Sequence, residues 1–269
     1  MRQTRTYGIV GPLVVVLHGG PGTPGQMAPV ARGLADAHRV FEPHQRGSGD
    51  EALTVARHVA DLDALVEAHG DGTRPALVGS SWGAMLALAY AAAHPSRAGP
   101  LVLIGCGTFD PVARDRMRAI IEERMDDGLR RRMQRLAREV PDPDRRFEAM
   151  GDLILPLYAY DVDASALECE PCDARAHQET WSDMVRLQED GRYPAAFAAI
   201  ESPVLMLHGA FDPHPGQMIR ASLEPHVARL EYTEWERCGH YPWAERAVRD
   251  EFFAVLRSWL ARHLPVAGP

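Results

Sequence analysis

Short apolar runs alternate along the chain with longer stretches in which apolar residues recur every three or four positions. The runs are "PLVVVLHG" from Pro12, "HRVFEP" from His38, "RPALVGS" from Arg74, "PLVLIGC" from Pro100, "SPVLMLHG" from Ser202 and "ARLEYTEW" from Ala228. Each has strand length, and four of the six are almost continuously aliphatic, as strands covered on both faces must be. The spacing between them predicts helices over 26–37, 52–68, 82–93, 216–223 and 245–263. Strand followed by helix, repeated, defines an α/β fold: a mostly parallel central sheet with helices on both faces.

One block breaks the alternation. Residues 108–200 offer no strand and carry 20 acidic residues against 14 arginines at helical spacing. This block reads as a helical cap inserted into a core made of residues 1–107 and 201–269. It holds most of the formal net charge of −8, which leaves the core nearly balanced.

An acidic balance with a pI near 5.8 argues against a nucleic-acid or anionic-membrane partner, because both require clustered positive charge. The densest basic run, Arg130 to Arg132 with Arg135 and Arg138, shares its helix with Asp126 and Asp127, so it reads as a solvated face. No stretch reaches the length of a membrane span, and "MRQTRTYGIVGP" lacks a signal-peptide core. A cytoplasmic chain is expected. Four cysteines are too few for a disulfide scaffold, and the lone C-x-x-C at Cys169 and Cys172 has no second pair to complete a metal site. Neither a cofactor nor a metal is expected, and nothing sets an oligomeric state.

The chemistry concentrates at "LVGSSWGAML", where Gly79, Ser81 and Gly83 satisfy G-x-S-x-G between a predicted strand and a predicted helix. That context is what a nucleophile elbow needs: a sharp turn that projects the central serine, with small flanking residues so that strand and helix can approach. A serine hydroxyl requires a base, and the base requires an acid to orient it. Asp212, after "SPVLMLHG", and His240, after the last strand run, follow Ser81 in the order this architecture demands. Asp110, after "PLVLIGC", is the alternative acid. His208 and His214 flank Asp212 but precede the final strand, which assigns them to packing or to the surface, and His18 is read as a structural histidine bonding loop backbone. Acyl transfer also needs donors for an oxyanion. "HGGPG" at 18–22 supplies the backbone N–H of Gly20, and the residue after the nucleophile supplies that of Trp82.

Taken together, "HGGPG", "QRGSG", "GSSWG", "GAFDP" and "CGHYPW" resemble the α/β-hydrolase superfamily, close to the proline iminopeptidase group. The resemblance covers about 12–107 and 202–263. It implies an eight-stranded sheet with a helical cap between strands six and seven, a Ser81–Asp212–His240 triad, no cofactor, and release of an N-terminal proline from a free amine terminus. This chain departs from the group in three ways. His44 stands where the group has Asp, and Asp50 where it has Arg; the opening β-hairpin is shortened or missing; and the cap pattern Trp-x-x-Trp-Glu is replaced by "ETWSDM" at 179–184.

The expected partner is a small molecule or a short peptide. Tyr158, Tyr160, Trp181 and Trp243 are candidate pocket walls, since such sites need apolar lining. Glu179, with Glu168, Glu170, Asp173 and Asp183, is the candidate for holding a substrate ammonium group. The leading expectation is a serine hydrolase of small esters or amides. The alternatives are an iminopeptidase-type aminopeptidase and a non-catalytic binding protein on a hydrolase scaffold.

Overall fold

A computed structural model describes residues 3–70 and 72–264 of the 269-residue chain. Seven strands form one sheet in the order β1-β3-β2-β4-β5-β6-β7. The six expected runs are all present as β2 (Leu13–Leu17), β3 (Arg39–His44), β4 (Ala76–Ser80), β5 (Leu101–Ile104), β6 (Val204–Gly209) and β7 (Leu230–Trp235), paired in parallel. An additional strand, β1 (Gln3–Tyr7), lies antiparallel to β3. The implied eighth strand is absent among the described residues. The expected shortening of the opening hairpin is observed as this single antiparallel strand.

Alternate side chains of the central strands serve two separate cores, because successive residues of a strand point to opposite faces. On one face Leu13, Val15, Leu17, Leu77 and Leu101 pack with α2 (Val55–His69), α3 (Trp82–Ala93) and α8 (Gly216–Leu223). On the other, Val14, Val16, Val78 and Val102 pack with α1 (Ala28–Leu34) and α9 (Arg249–His263). Each central strand is therefore buried on both sides, which is the physical reason its sequence reads as an unbroken aliphatic run.

Between β5 and β6 lie α4 (Pro111–Arg124), α5 (Asp127–Glu139), α6 (Pro143–Tyr158) and α7 (Ala174–Glu189). Asp110, Asp126, Asp142 and Asp173 cap the N-termini of these four helices, each accepting from a backbone N–H of the first turn. Asp110, the alternative acid in the sequence, is thus spent on starting α4. Helix α7 returns to the core beside α2, and its Met184 and Leu187 are buried in the same cluster.

The sheet register aligns the carboxyl ends of four neighbouring strands. Leu17 faces Gly79, Ser80 faces Ile104, and Ile104 faces Leu207. The loops that follow β2, β4, β5 and β6 therefore emerge side by side. Strand β2 has β3 on one side and β4 on the other, so this row begins where the strand order reverses, the usual location of a site in an open parallel sheet.

Candidate active site

Ser81 stands between β4 and α3 with φ 52° and ψ −115°, and among the described residues it is the single non-glycine with positive φ. A backbone in that region costs a residue with a Cβ about 1–3 kcal/mol, and the surrounding packing holds it there. The glycines of the motif have separate tasks. A Cβ on Gly79 would lie 2.2 Å from the carbonyl oxygen of Gly83, and one on Gly83 would lie 2.1 Å from that of Leu17. No side chain fits either position. The Ser81 N–H donates to the carbonyl of Ile104 at 2.8 Å, which pins the turn to the adjacent strand.

The next residue on that strand, Gly105, lies beneath the other two candidates. A Cβ there would fall 2.9 Å from Nδ1 of His240 and 3.2 Å from Oδ2 of Asp212. Nδ1 of His240 and Oδ2 of Asp212 are 2.5 Å apart, with both residues buried. This bond fixes the ring so that Nε2 is the nitrogen left for other partners. The His240 N–H donates to the carbonyl of Tyr158 at 2.8 Å, and the Tyr158 ring meets that of His240 edge-on.

Asp212 also meets the two histidines that flank it in sequence, which the sequence assigns to packing or to the surface. Nδ1 of His214 and its backbone N–H both lie 2.9 Å from Oδ1 of Asp212, and the His214 ring stacks on His240 at 4.8 Å. His208 is fully buried, with Nε2 3.4 Å from Oδ2 of Asp212 and 2.9 Å from the His214 carbonyl oxygen. Burial pushes the Asp212 carboxyl upward, but the charges and hydrogen bonds of His240 and His214 outweigh it. The group is held well below the usual carboxylate range. Burial in turn pushes His208 down. Donor atoms of Asp212, His214 and His240 lie within 4.8 Å of one another, the one such group of potential metal ligands among the described residues. Both Asp212 oxygens are already engaged by ring nitrogens, so the group reads as paired hydrogen bonds and not as a chelate.

The loop after β2 is built around one peptide bond. The carbonyl of Gly19 accepts from Nδ1 of His18 at 2.9 Å and from Oγ1 of Thr23 at 3.1 Å. In a trans peptide the N–H of the following residue points the opposite way, so these two bonds aim the Gly20 N–H away from His18 and Thr23. A Cβ on Gly19 would lie 3.2 Å from the Cβ of Ser81, which places the loop directly against the serine. His18 is buried and pushed down to about 4, so its ring is neutral and Nε2 can accept the Gln45 N–H at 3.2 Å. Trp82, the first residue of α3, is fully buried and donates from Nε1 to Oε1 of Gln45 at 2.6 Å.

Two residues of this scaffold escape sequence reasoning. Gln45 links the loop carrying Gly20 to Trp82, because its Nε2 also donates to the His18 carbonyl at 3.0 Å. Glu245 is fully buried and accepts the N–H groups of Gly239, Tyr160 and Asp161, tying the His240 loop to the end of α6. The one available signal was position: Gln45 lies inside "QRGSG", and Glu245 follows "GHYPW" by two residues.

The pocket candidates separate. Tyr158 stays half-buried against His214 and His240, and burial pushes its hydroxyl up to about 12. Trp181 packs partly buried on the α2–α3 core. Trp243 is a correction: it is fully buried in the other core, against Phe252 of α9. Tyr160 is 46% exposed, edge-on to Phe211. The acidic residues have partners of their own. Glu179 accepts the Leu53 N–H at 2.9 Å and pairs with Arg175, and Asp183 accepts the Val55 N–H at 2.8 Å. Asp173 accepts from the N–H and hydroxyl of Ser48, Glu170 pairs with Arg5, and Glu168 pairs with Arg32. All five bind the segment between β5 and β6 to the rest of the chain.

Comparison with known proteins agrees with this geometry. Residues 14–254 match the model of the alpha/beta hydrolase family; the chain belongs to that family, and it is a hydrolase. Among curated relatives, a proline iminopeptidase of Lactobacillus helveticus is 26% identical over 96% of this chain and 94% of its own length. A proline iminopeptidase of Lactobacillus crispatus is 28% identical over 93% of this chain and 90% of its own. A thermophilic esterase from Thermogutta terrifontis shares the fold, with a TM-score of 0.65 at 20% identity over 97% of this chain and 93% of that one. The similarity is thus to a proline iminopeptidase-like group within the family. The binding-protein alternative is set aside, because the relatives are enzymes.

Proposed function

We propose that the chain is a cofactor-independent serine hydrolase that cleaves a small ester or amide through an acyl-enzyme on Ser81. The Oγ of Ser81 attacks the carbonyl carbon while its proton passes to Nε2 of His240. Asp212 holds the imidazole in the tautomer that accepts this proton and stabilises the imidazolium that results. The N–H groups of Gly20 and Trp82 receive the oxyanion. His240 then returns the proton to the leaving alkoxide or amine, and water releases the acyl group by the same steps in reverse. The observation that carries the reading is the strained Ser81 backbone, bonded to Ile104 one residue before the Gly105 on which the Asp212–His240 pair rests.

Residues 108–200 act in this reading as a cap over the core formed by 1–107 and 201–269, since α4–α7 all fall between β5 and β6. Tyr158, edge-on to His240, and Trp181 serve as pocket walls, and the substrate is a small molecule or a short peptide. A cytoplasmic setting suits the four free thiols, and no helix among the described residues is long and apolar enough to cross a membrane.

A second reading, release of N-terminal amino acids, is favoured by the two iminopeptidase relatives that cover almost the whole chain. Against it stands the engagement of Glu168, Glu170, Asp173, Glu179 and Asp183 with the core, which leaves none of them committed to an ammonium group. The test is hydrolysis of p-nitrophenyl esters and of aminoacyl p-nitroanilides, with Ser81→Ala as control. Serine-dependent ester turnover with little anilide turnover supports the leading reading. Anilide turnover that is lost when the substrate amine is acetylated supports the second.

A further inference from the structure

The segment between α6 and α7 lies along the loop that carries Gly20. The Glu170 N–H donates to the Pro24 carbonyl at 2.9 Å and the Asp173 N–H to the Gly22 carbonyl at 2.8 Å. A Cβ on Gly22 would sit 2.3 Å from the carbonyl oxygen of Asp173, so the two backbones touch. Side chains reinforce the strap: Glu170 pairs with Arg5 and lies 3.4 Å from His44, and Asp173 holds Ser48. Cys169 and Cys172 bracket Glu170 within this strap, with their sulfurs 3.9 Å apart.

The four cysteines differ sharply in environment. Cys106 and Cys238 are buried, and burial pushes both thiols up. Cys169 is exposed, and a hydrogen bond from Cys172 draws its thiol down, against the effect of burial; Cys172 is pushed up by the same contact. Cys169 is the more exposed of the two and meets a dissolved oxidant first, which leaves Cys172 as the resolving thiol. Among the described residues no third His, Cys, Asp or Glu converges with the pair to complete a metal site.

We propose that Cys169 and Cys172 form a site of reversible oxidative modification, closed to a disulfide by a hydroperoxide, and that closure loosens the strap over the Gly20–Gly25 loop. The Cys169 sulfur attacks one peroxide oxygen and the O–O bond breaks, giving a sulfenic acid and water or an alcohol. The Cys172 sulfur then displaces the sulfenic hydroxyl, the S–S bond forms, and a water leaves with the second thiol proton. Two electrons pass from the thiols to the hydroperoxide, and no further reagent is needed. A disulfide requires sulfurs about 2.05 Å apart, so each must move inward from the observed separation of 3.9 Å. The ring that closes contains Glu170, whose N–H and carboxylate are both ends of the strap. Tightening it draws Glu170 off Pro24.

The test uses the full chain treated with hydrogen peroxide at a few equivalents, with Cys172→Ser in parallel. The proposal predicts a loss of about 2 Da from the intact mass as two thiols become one disulfide. It also predicts faster amide exchange in the peptide spanning 168–175, both changes reversed by dithiothreitol and both absent from the variant. The consequence for activity rests on the serine-hydrolase reading: labelling of Ser81 by a fluorophosphonate should slow at least threefold in the oxidised chain. Sulfinic acid or cross-linked dimers in place of the intramolecular bond would overturn the proposal, as would a disulfide with unchanged exchange. Absence of labelling in the reduced chain would count against the serine-hydrolase reading instead, while mass and exchange still decide this one.

Discussion

The backbone of Ser81 offers a way to test whether the serine is held for use. At φ 52° and ψ −115° the residue occupies a region open to glycine and costly to any side chain, so Ser81→Gly should relieve about 1–3 kcal/mol of strain. Two effects reduce that gain: glycine gives the unfolded chain more freedom, worth roughly 0.5–1 kcal/mol, and the Ser81 Cβ packs on Gly19. A net stabilisation of roughly 0.5–2 kcal/mol remains, which for a chain of this size raises Tm by about 1–4 °C. Ser81→Ala is the control, because it also removes the hydroxyl but keeps the Cβ and therefore the strain. Calorimetry of the three proteins, with an ester assay alongside, separates the contributions. The expectation is that both variants lose hydrolysis and only the glycine variant melts higher. If Ser81→Gly melts at or below Ser81→Ala, the strain argument is wrong.

Further outcomes follow from particular contacts. Gly83→Ala places a methyl group 2.1 Å from the Leu17 carbonyl oxygen, a clash with backbone that cannot rotate away, so soluble yield should collapse or Tm fall by at least about 6 °C. Burial pushes His18 and His58 down to about 4, whereas the unfolded chain protonates both near 6.5. Between these values the unfolded state binds more protons, so stability falls as pH drops, by up to about 3 kcal/mol per histidine. Urea midpoints from pH 7 to 4.5 should show this slope, and His58→Gln should make it shallower; parallel curves would contradict the assignment. Glu179→Gln weakens the bonds to Leu53 and Arg175 and should lower stability by about 1 kcal/mol while leaving the KM for free-amine anilides unchanged. A selective rise in that KM would return Glu179 to the substrate.

Much of the fold was legible because burial on both faces forces a continuous aliphatic run. All six runs became strands, whereas β1 did not register: "QTRTY" is polar, half-exposed and at the sheet edge. That Ser81, Asp212 and His240 each follow a strand end was legible in the order of runs, and the structure pairs Asp212 with His240. Residues whose partners are remote backbone groups were not. Glu245 accepts N–H groups from 239, 160 and 161, and no local pattern encodes that. The partners of the acidic residues between β5 and β6 were hidden for the same reason, since a sequence shows their charge but not the core amides and arginines they meet. Trp243 lies close to His240 in sequence, yet the chain turns its ring into the core beside α9.

The account's central claim is covalent chemistry at Ser81, and peptide mass mapping after brief exposure to a fluorophosphonate at neutral pH tests it most directly. The account predicts one adduct, on the peptide containing Ser81, absent in Ser81→Ala and slowed at least a hundredfold in Asp212→Asn, where the imidazole loses its orienting carboxylate. An unmodified Ser81, or labelling that proceeds equally well in Asp212→Asn, would contradict it.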